Sequence, residues 1–321
     1  MTDLWKMKKP VMAAEAAAAR KGLHIVLEIL IFVVVFLVCN IAELIVMVPA
    51  QMVLLFTNQE YLSAIAVGDM EAAMEATQAI LQTDALTIAM LFANVGLILV
   101  ALLFCKLIQK RKMSTVGFQK PGMWKEYACG LGAGLVLFSA AVLLCVITGS
   151  LEFQGLSPEF SLGVFILFVV GFLIQGMAEE ILCRGYFLVS VSRRYPLAVG
   201  IFANALLFAA LHLLNEGITV LAFVNLVLFG VFASIYFIKR GNIWGVGALH
   251  SVWNLAQGNI YGIRVSGMQT HCTVFSSNMV TGRELINGGD FGLEGGLAVT
   301  LVLVAATVIM LAVKQQRCVE E

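Results

Sequence analysis

Six polar side chains with the functional groups of acid–base chemistry stand inside otherwise apolar stretches of the sequence. An ionisable group inside a membrane span is unfavourable by several kcal/mol, so it marks a reaction site or a pathway. Carboxylates and imidazoles move protons, and an amide holds a water or a substrate oxygen. Two of the four histidines of the chain are in this set. In chain order the residues are Glu179, Glu180, Arg184, His212, His250 and Asn254.

The composition is that of a membrane protein. Apolar residues make up 60% of the 321 residues and charged residues 12%, and the mean hydropathy is +0.95. These values exclude a soluble globular enzyme, a disordered chain and a coiled coil. The 20 basic and 20 acidic residues cancel, so the charge indicates no nucleic-acid partner. The expected partners are the lipid bilayer and a peptide or protein substrate within it.

Apolar runs long enough to cross a hydrocarbon core about 30 Å thick recur along the chain. The sequence therefore predicts an all-α membrane protein with eight transmembrane helices. The predicted spans are 24–48, 86–107, 127–148, 161–192, 196–214, 218–238, 243–261 and 295–313.

The basic residues orient these spans. With both termini in the cytoplasm, all but two of the 20 basic residues face inward, as the positive-inside rule requires. Arg264 and Arg283 are the exceptions. We expect a multi-pass protein of a bacterial plasma membrane. The outer loops are then 57–85, predicted as an amphipathic surface helix, and 262–293.

Helical geometry predicts how the polar groups are arranged. At 1.5 Å per residue, they lie about 15–27 Å from the basic ends of their helices, so they can meet within the membrane. Glu180 and Arg184 have the i, i+4 spacing of an ion pair. Glu179 projects about 100° further round the helix and is left free to act on water. Each residue alone has a structural explanation, but the set at matching depth favours a reaction site.

Aromatic and small residues complete the predicted helix contacts. Phe208 stands one turn before His212 and is expected to pack against its ring. His250 and Asn254 are also four residues apart and point from one face. The small residues of 130–134 and 241–245 are interpreted as sites of close helix packing.

Three segments together resemble the signature of a known family. Its pattern is EExxxR, then FxxxH, then HxxxN or HxxxB on later helices. The segments here are Glu179-Glu180 with Arg184, Phe208 with His212, and His250 with Asn254. This pattern is similar to that of the CPBP family of intramembrane proteases, the CAAX proteases and bacteriocin-processing enzymes also called Abi. The resemblance covers about 120–261; segment 1–119 holds two spans, and 262–321 holds an outer loop and the last span.

The resemblance implies a fold like that of the type II prenyl-protein endopeptidase and hydrolysis of a peptide bond in a membrane-associated or prenylated substrate. It assigns the essential positions to Glu179, His212, His250 and Asn254, with Glu180, Arg184 and Phe208 in support. Glu179 would be the general base, and His212 would hold or polarise the water. His250 and Asn254 would position that water and donate to the oxyanion.

Metal dependence stays open at this point. The chain lacks the HExxH motif, yet Glu179, His212 and His250 together could bind zinc. We favour a metal-free, glutamate-activated water over a zinc-bound one.

Two other functions compete with the protease. A proton-coupled transporter could use the same groups as a relay, but no matched pair of interrupted segments indicates inverted repeats. A catalytically silent membrane partner would be expected to lack a motif residue, and none is missing. For the protease we expect a cavity that opens toward the cytoplasm, where the basic rim would favour a substrate with a C-terminal carboxylate or an acidic flank.

Overall fold

The computed structural model describes residues 7–316. The predicted positions of Lys6 and Arg317 on the inner side lie outside these residues.

Helices occupy each of the apolar runs predicted as spans. The helices of the first half are α1 (Val11–Ala19), α2 (Ile25–Thr57), α3 (Gln59–Val67), α4 (Met70–Leu81), α5 (Asp84–Ile108) and α6 (Met123–Ile147). Those of the second half are α7 (Leu162–Ser192), α8 (Leu197–Ala210), α9 (Val220–Arg240), α10 (Trp244–Leu255), α11 (Glu284–Asn287) and α12 (Leu297–Ala312).

Five of these helices, α2, α5, α6, α7 and α9, are long and apolar enough to cross a membrane. Helices α8 and α12 are apolar but shorter, and a π-helical turn, Ala256–Ile260, extends α10. The prediction of a mostly helical, multi-pass membrane protein is therefore confirmed. The count of eight spans and the cytoplasmic position of the termini stay predictions.

Two short strands depart from the predicted all-α fold. Strand β1 (Leu151–Leu156) follows α6 and pairs antiparallel with β2 (Phe275–Met279), which lies in loop 262–293. The rings of Phe153 and Phe275 stand 5.0 Å apart on this ribbon. The Ser- and Asn-containing sequence of β2 shows no clear period-2 alternation, whereas Leu151 to Gln154 of β1 do alternate over four residues, a signal too short to predict a strand without its partner.

The predicted surface helix of 57–85 is interrupted. Helix α3 ends at Val67, and the next residue, Gly68, has a φ of 77°, the left-handed conformation that glycine adopts without a steric penalty. Asp69 then begins α4 by accepting a hydrogen bond from the backbone N–H of Ala72 at 3.1 Å. The segment is therefore two helices rather than one.

Helices α6 and α10 approach closely because glycines remove side chains from their interface. A Cβ atom at Gly130 would collide with the carbonyl oxygen of Gly245, and one at Gly134 with that of Leu249. The interpretation of these small residues as packing positions is confirmed for Gly130, Gly134 and Gly245, whereas Gly132 meets nothing within 4 Å and Gly241 ends α9 in the left-handed conformation. The contact matters for the site because it fixes α10, the helix that carries His250.

Valine at position 134 is expected to destabilise the bundle, whereas valine at position 132 is not. The branched side chain of Gly134→Val would force α6 from α10, a loss of about 1–3 kcal/mol for overpacking. A Cβ atom at Gly132 meets nothing within 4 Å, so Gly132→Val is the matched control on the same helix. Thermal unfolding in detergent should show a lowered melting temperature for Gly134→Val alone. Equal melting temperatures would contradict the close contact.

Candidate active site

A cavity of about 520 Å³ lies among α2, α5, α7, α8, α9 and α10. Its lining brings together five residues that the sequence places on three separate helical segments. They are Glu179, Phe208, His212, His250 and Asn254. Glu180 and Arg184 lie directly behind this lining and are fully buried. The expectation that the polar groups meet within the bundle is therefore met.

Glu180 accepts two hydrogen bonds on a single carboxylate oxygen. Arg184 Nη1 donates to Glu180 Oε1 at 2.7 Å, which confirms the predicted ion pair. His250 Nδ1 lies 2.8 Å from the same oxygen, a contact the sequence did not reveal. Because an ionised carboxylate only accepts, Nδ1 of His250 carries a proton. The opposite nitrogen, Nε2, is thereby turned toward Glu179.

Aromatic rings enclose the Arg184–Glu180 pair. The guanidinium carbon of Arg184 lies 4.7 Å from the ring centroid of Phe208. The Phe208 ring stands 4.8 Å from that of His212, as predicted, and the Phe229 ring stands 4.9 Å from that of His250. These apolar faces keep the charged pair in a low-dielectric setting, where a charge without a partner is strongly unfavourable.

Glu179 faces the cavity, with about a quarter of its side chain exposed. Its Oε2 lies 3.8 Å from His250 Nε2, too far for a direct hydrogen bond. A water at ordinary hydrogen-bond distance from both atoms can bridge this separation. Glu179 does not share Glu180's arginine partner, in agreement with its predicted separate orientation.

Gln175 is a site residue that the sequence analysis missed. Its Nε2 donates to Glu179 Oε1, and its Oε1 accepts from Asn254 Nδ2 at 3.0 Å. Asn254 is therefore connected to Glu179 through Gln175. The available signal was a polar residue one helical turn before Glu179 in an apolar span.

His212 lines the cavity from a turn, not from within a helix. Helix α8 ends at Ala210, so the predicted span 196–214 is too long at this end. The chain turns at 211–214, and His212 Nδ1 lies 2.9 Å from the carbonyl oxygen of Phe208. That carbonyl can only accept, so Nδ1 is the donor and the other ring nitrogen is left as an acceptor.

The donor set does not fit the zinc site that the sequence left open. Within residues 7–316, no three His, Cys, Asp or Glu side chains are arranged to hold a metal ion. Glu179 and His250 approach each other, but His212 does not complete a group of three ligands with them. Depth along a helix could not predict this outcome, because it says nothing about where ring nitrogens point.

The cavity lies on the side of the bundle opposite the one expected. Its lining extends to Glu216 and to Ser266–Met268 of loop 262–293. It does not reach the basic helix ends, where Arg193 is bound to Glu28 at 3.1 Å. The expected opening toward the basic face is therefore wrong. The positive-inside rule reads charges at helix ends and carries no information on the position of a cavity between them.

Replacement of Arg184 by alanine should strongly destabilise the protein. It leaves Glu180 buried without its cation, and breaking a buried ion pair typically removes about 3–5 kcal/mol. Arg194→Ala is the control because Arg194 is exposed near the same end of α7. Melting in detergent should drop for Arg184→Ala and stay unchanged for Arg194→Ala. Normal stability with lost activity would instead place Arg184 in the chemistry.

Comparison with known proteins agrees with the motif pattern. Residues 161–256 match the family model described as type II CAAX prenyl endopeptidase Rce1-like. This segment contains all three motifs, so the resemblance to CAAX proteases is confirmed there. The match supports a membrane protease of the CAAX type. Neither the curated proteins nor the solved structures contain a match to the chain.

Proposed function

We propose that the protein is an intramembrane endopeptidase in which Glu179 activates a water for attack on a peptide carbonyl. The observation that carries this proposal is the pairing of Glu179 Oε2 with His250 Nε2 at 3.8 Å on the cavity wall. The two groups stand at a separation that one water can bridge, and each is held by a second side chain. The substrate is an apolar, membrane-associated segment that enters the cavity between helices.

In this mechanism Glu179 removes a proton from the water as its oxygen bonds to the carbonyl carbon. The resulting tetrahedral intermediate carries its negative charge on the former carbonyl oxygen. In this proposal His250 is an imidazolium whose Nδ1–H is bound to Glu180 and whose Nε2–H is directed toward Glu179. Its Nε2–H then donates to this oxyanion. Collapse of the intermediate breaks the C–N bond, and the proton held by Glu179 passes to the leaving amine.

The surrounding residues orient these two groups. Glu180 fixes the ring of His250 through Nδ1 and is itself neutralised by Arg184. Such partners of a reacting imidazole set its orientation and tautomer. Gln175 restrains Glu179, and Asn254 acts through Gln175 while its second N–H stays available to the substrate. The acceptor nitrogen of His212 can hold the water.

Glu179→Gln should abolish cleavage without loss of stability. The amide keeps the size of the side chain but cannot accept the proton, and a general base contributes typically about 10²–10⁴-fold. Mass spectrometry of membranes carrying each form should show uncleaved substrate accumulating in Glu179→Gln. Glu71→Gln, on surface helix α4, is the control and should match the wild type. Full turnover by purified Glu179→Gln would refute the general-base role.

Gln175 and Asn254 should behave as one unit in catalysis. Gln175→Leu leaves Glu179 without its restraint, so kcat should fall by about 10–100-fold while KM changes little, by analogy with orienting partners of metal ligands. If Asn254 acts through Gln175, adding Asn254→Ala should reduce kcat little further. A double-mutant cycle measures this coupling. Fully additive losses would show that Asn254 acts independently of Gln175.

A further inference from the structure

Glu43 is a carboxylate in the middle of α2 that the sequence motifs do not include. It lines the same cavity as Glu179 and is half-buried. Helix α2 lies outside the segment that matches the CAAX protease family. Within residues 7–316, Glu43 makes no hydrogen bond or ion pair, although it lines the same cavity as Glu179. A carboxylate within a span without a cationic partner indicates a functional role.

Within the described chain, two asparagines that line the same cavity as Glu43 each have a free amide oxygen. Asn40 Nδ2 donates to the backbone carbonyl of Phe36 at 2.7 Å, and Asn94 Nδ2 donates to that of Met90 at 3.0 Å. Each amide therefore directs one N–H group to its own helix and leaves its Oδ1 and its second N–H without a partner among the described residues. Both residues line the cavity. Their amide oxygens and the Glu43 carboxylate are therefore three groups on the cavity lining that can accept hydrogen bonds.

Apart from the histidines, the charged side chains that line the cavity are all acidic. Its lining within the described chain includes four glutamates and no lysine or arginine. Arg184 is the nearby cation, and Glu180 already neutralises it. The carboxylate of Glu294 accepts hydrogen bonds from Trp253 and Ser266. Of the four glutamates, Glu43 and Glu216 therefore remain without a cation or donor of the described chain, and Glu43 is the one within a predicted span.

We propose that Glu43, with the amide oxygens of Asn40 and Asn94, binds a positively charged side chain of the substrate next to the scissile bond. Lysine and arginine carry only donors, which complement the Glu43 carboxylate and the two free amide oxygens. The proposal rests on the proposed protease function, since the bound cation would place the adjacent peptide bond at Glu179. It reverses the expectation of an acidic flank or a C-terminal carboxylate, which this lining would repel.

Binding of synthetic peptides tests the charge preference without requiring cleavage. The probes are fluorescent apolar peptides of identical sequence with lysine, norleucine or glutamate at one central position. Their dissociation constants are measured by anisotropy with the full-length protein in lipid nanodiscs. The wild type should bind the lysine peptide about tenfold or more tightly than the norleucine peptide, the effect expected for a hydrogen-bonded charge. The glutamate peptide should bind least.

The variants assign the preference to Glu43. Glu43→Gln should remove the lysine preference while the norleucine peptide binds as before, and Asn94→Leu should reduce it. Glu60→Gln, on α3 outside the cavity, should retain it. If Glu43→Gln does not accumulate, the lysine preference of the wild type and its reduction in Asn94→Leu decide the test. Equal binding of lysine and norleucine peptides, no binding of either, or a preference that survives Glu43→Gln overturns the proposal.

Mass spectrometry of the same samples reports cleavage separately. A lysine preference in binding without peptide hydrolysis would contradict the protease function and leave the cation site standing. Peptide hydrolysis without a lysine preference in binding would contradict the cation site and leave the protease function standing.

Discussion

The site depends on one buried carboxylate oxygen that serves two partners. Glu180 Oε1 binds Arg184 within α7 and His250 on α10. A buried carboxylate requires compensation from charges and hydrogen bonds, and these two contacts supply it at Oε1, whereas Oε2 has no hydrogen-bond partner in the described chain. They also join α7 to α10 and fix the ring that faces Glu179. The glycine contacts between α6 and α10 allow the close packing that this arrangement needs.

Glu179 and Glu180 have different surroundings because consecutive residues of a helix point in different directions. The turn of about 100° per residue sends Glu180 into the protein and Glu179 toward the cavity. The first is fully buried and paired, whereas the second is partly exposed and restrained by Gln175. The helix also changes to π-helical hydrogen bonding at Ile181, directly after the pair. Such segments are frequent at functional sites.

Sequence reasoning succeeded where helical periodicity decides the outcome. The i, i+4 spacing predicted the Glu180–Arg184 ion pair, and polar residues in apolar runs predicted which helices would meet. It failed where contacts between helices decide. The link from His250 to Glu180 depends on how α7 and α10 are rotated against each other. The sequence also carries only a weak local signal for the end of α8 before His212 and for the pairing of β1 with β2, so neither was predicted.

Two of the missed residues had a readable signal. Glu43 is a carboxylate in an apolar span without a basic residue one turn away, and Gln175 stands one turn before Glu179. Attention to motifs alone passed over both of them. The sequence carries no such signal for the side of the bundle on which the cavity lies, because the position of the cavity follows from the packing of six helices.

Nitrogen-15 NMR of histidine-labelled protein in detergent tests the shared carboxylate most directly, since the chain has four histidines to assign. The account predicts that Nδ1 of His250 is protonated and that its proton resonates at unusually low field. This signal should persist in Glu179→Gln and move to higher field in Glu180→Gln. An unprotonated Nδ1 of His250 in the wild type, or a signal unchanged in Glu180→Gln, would contradict it.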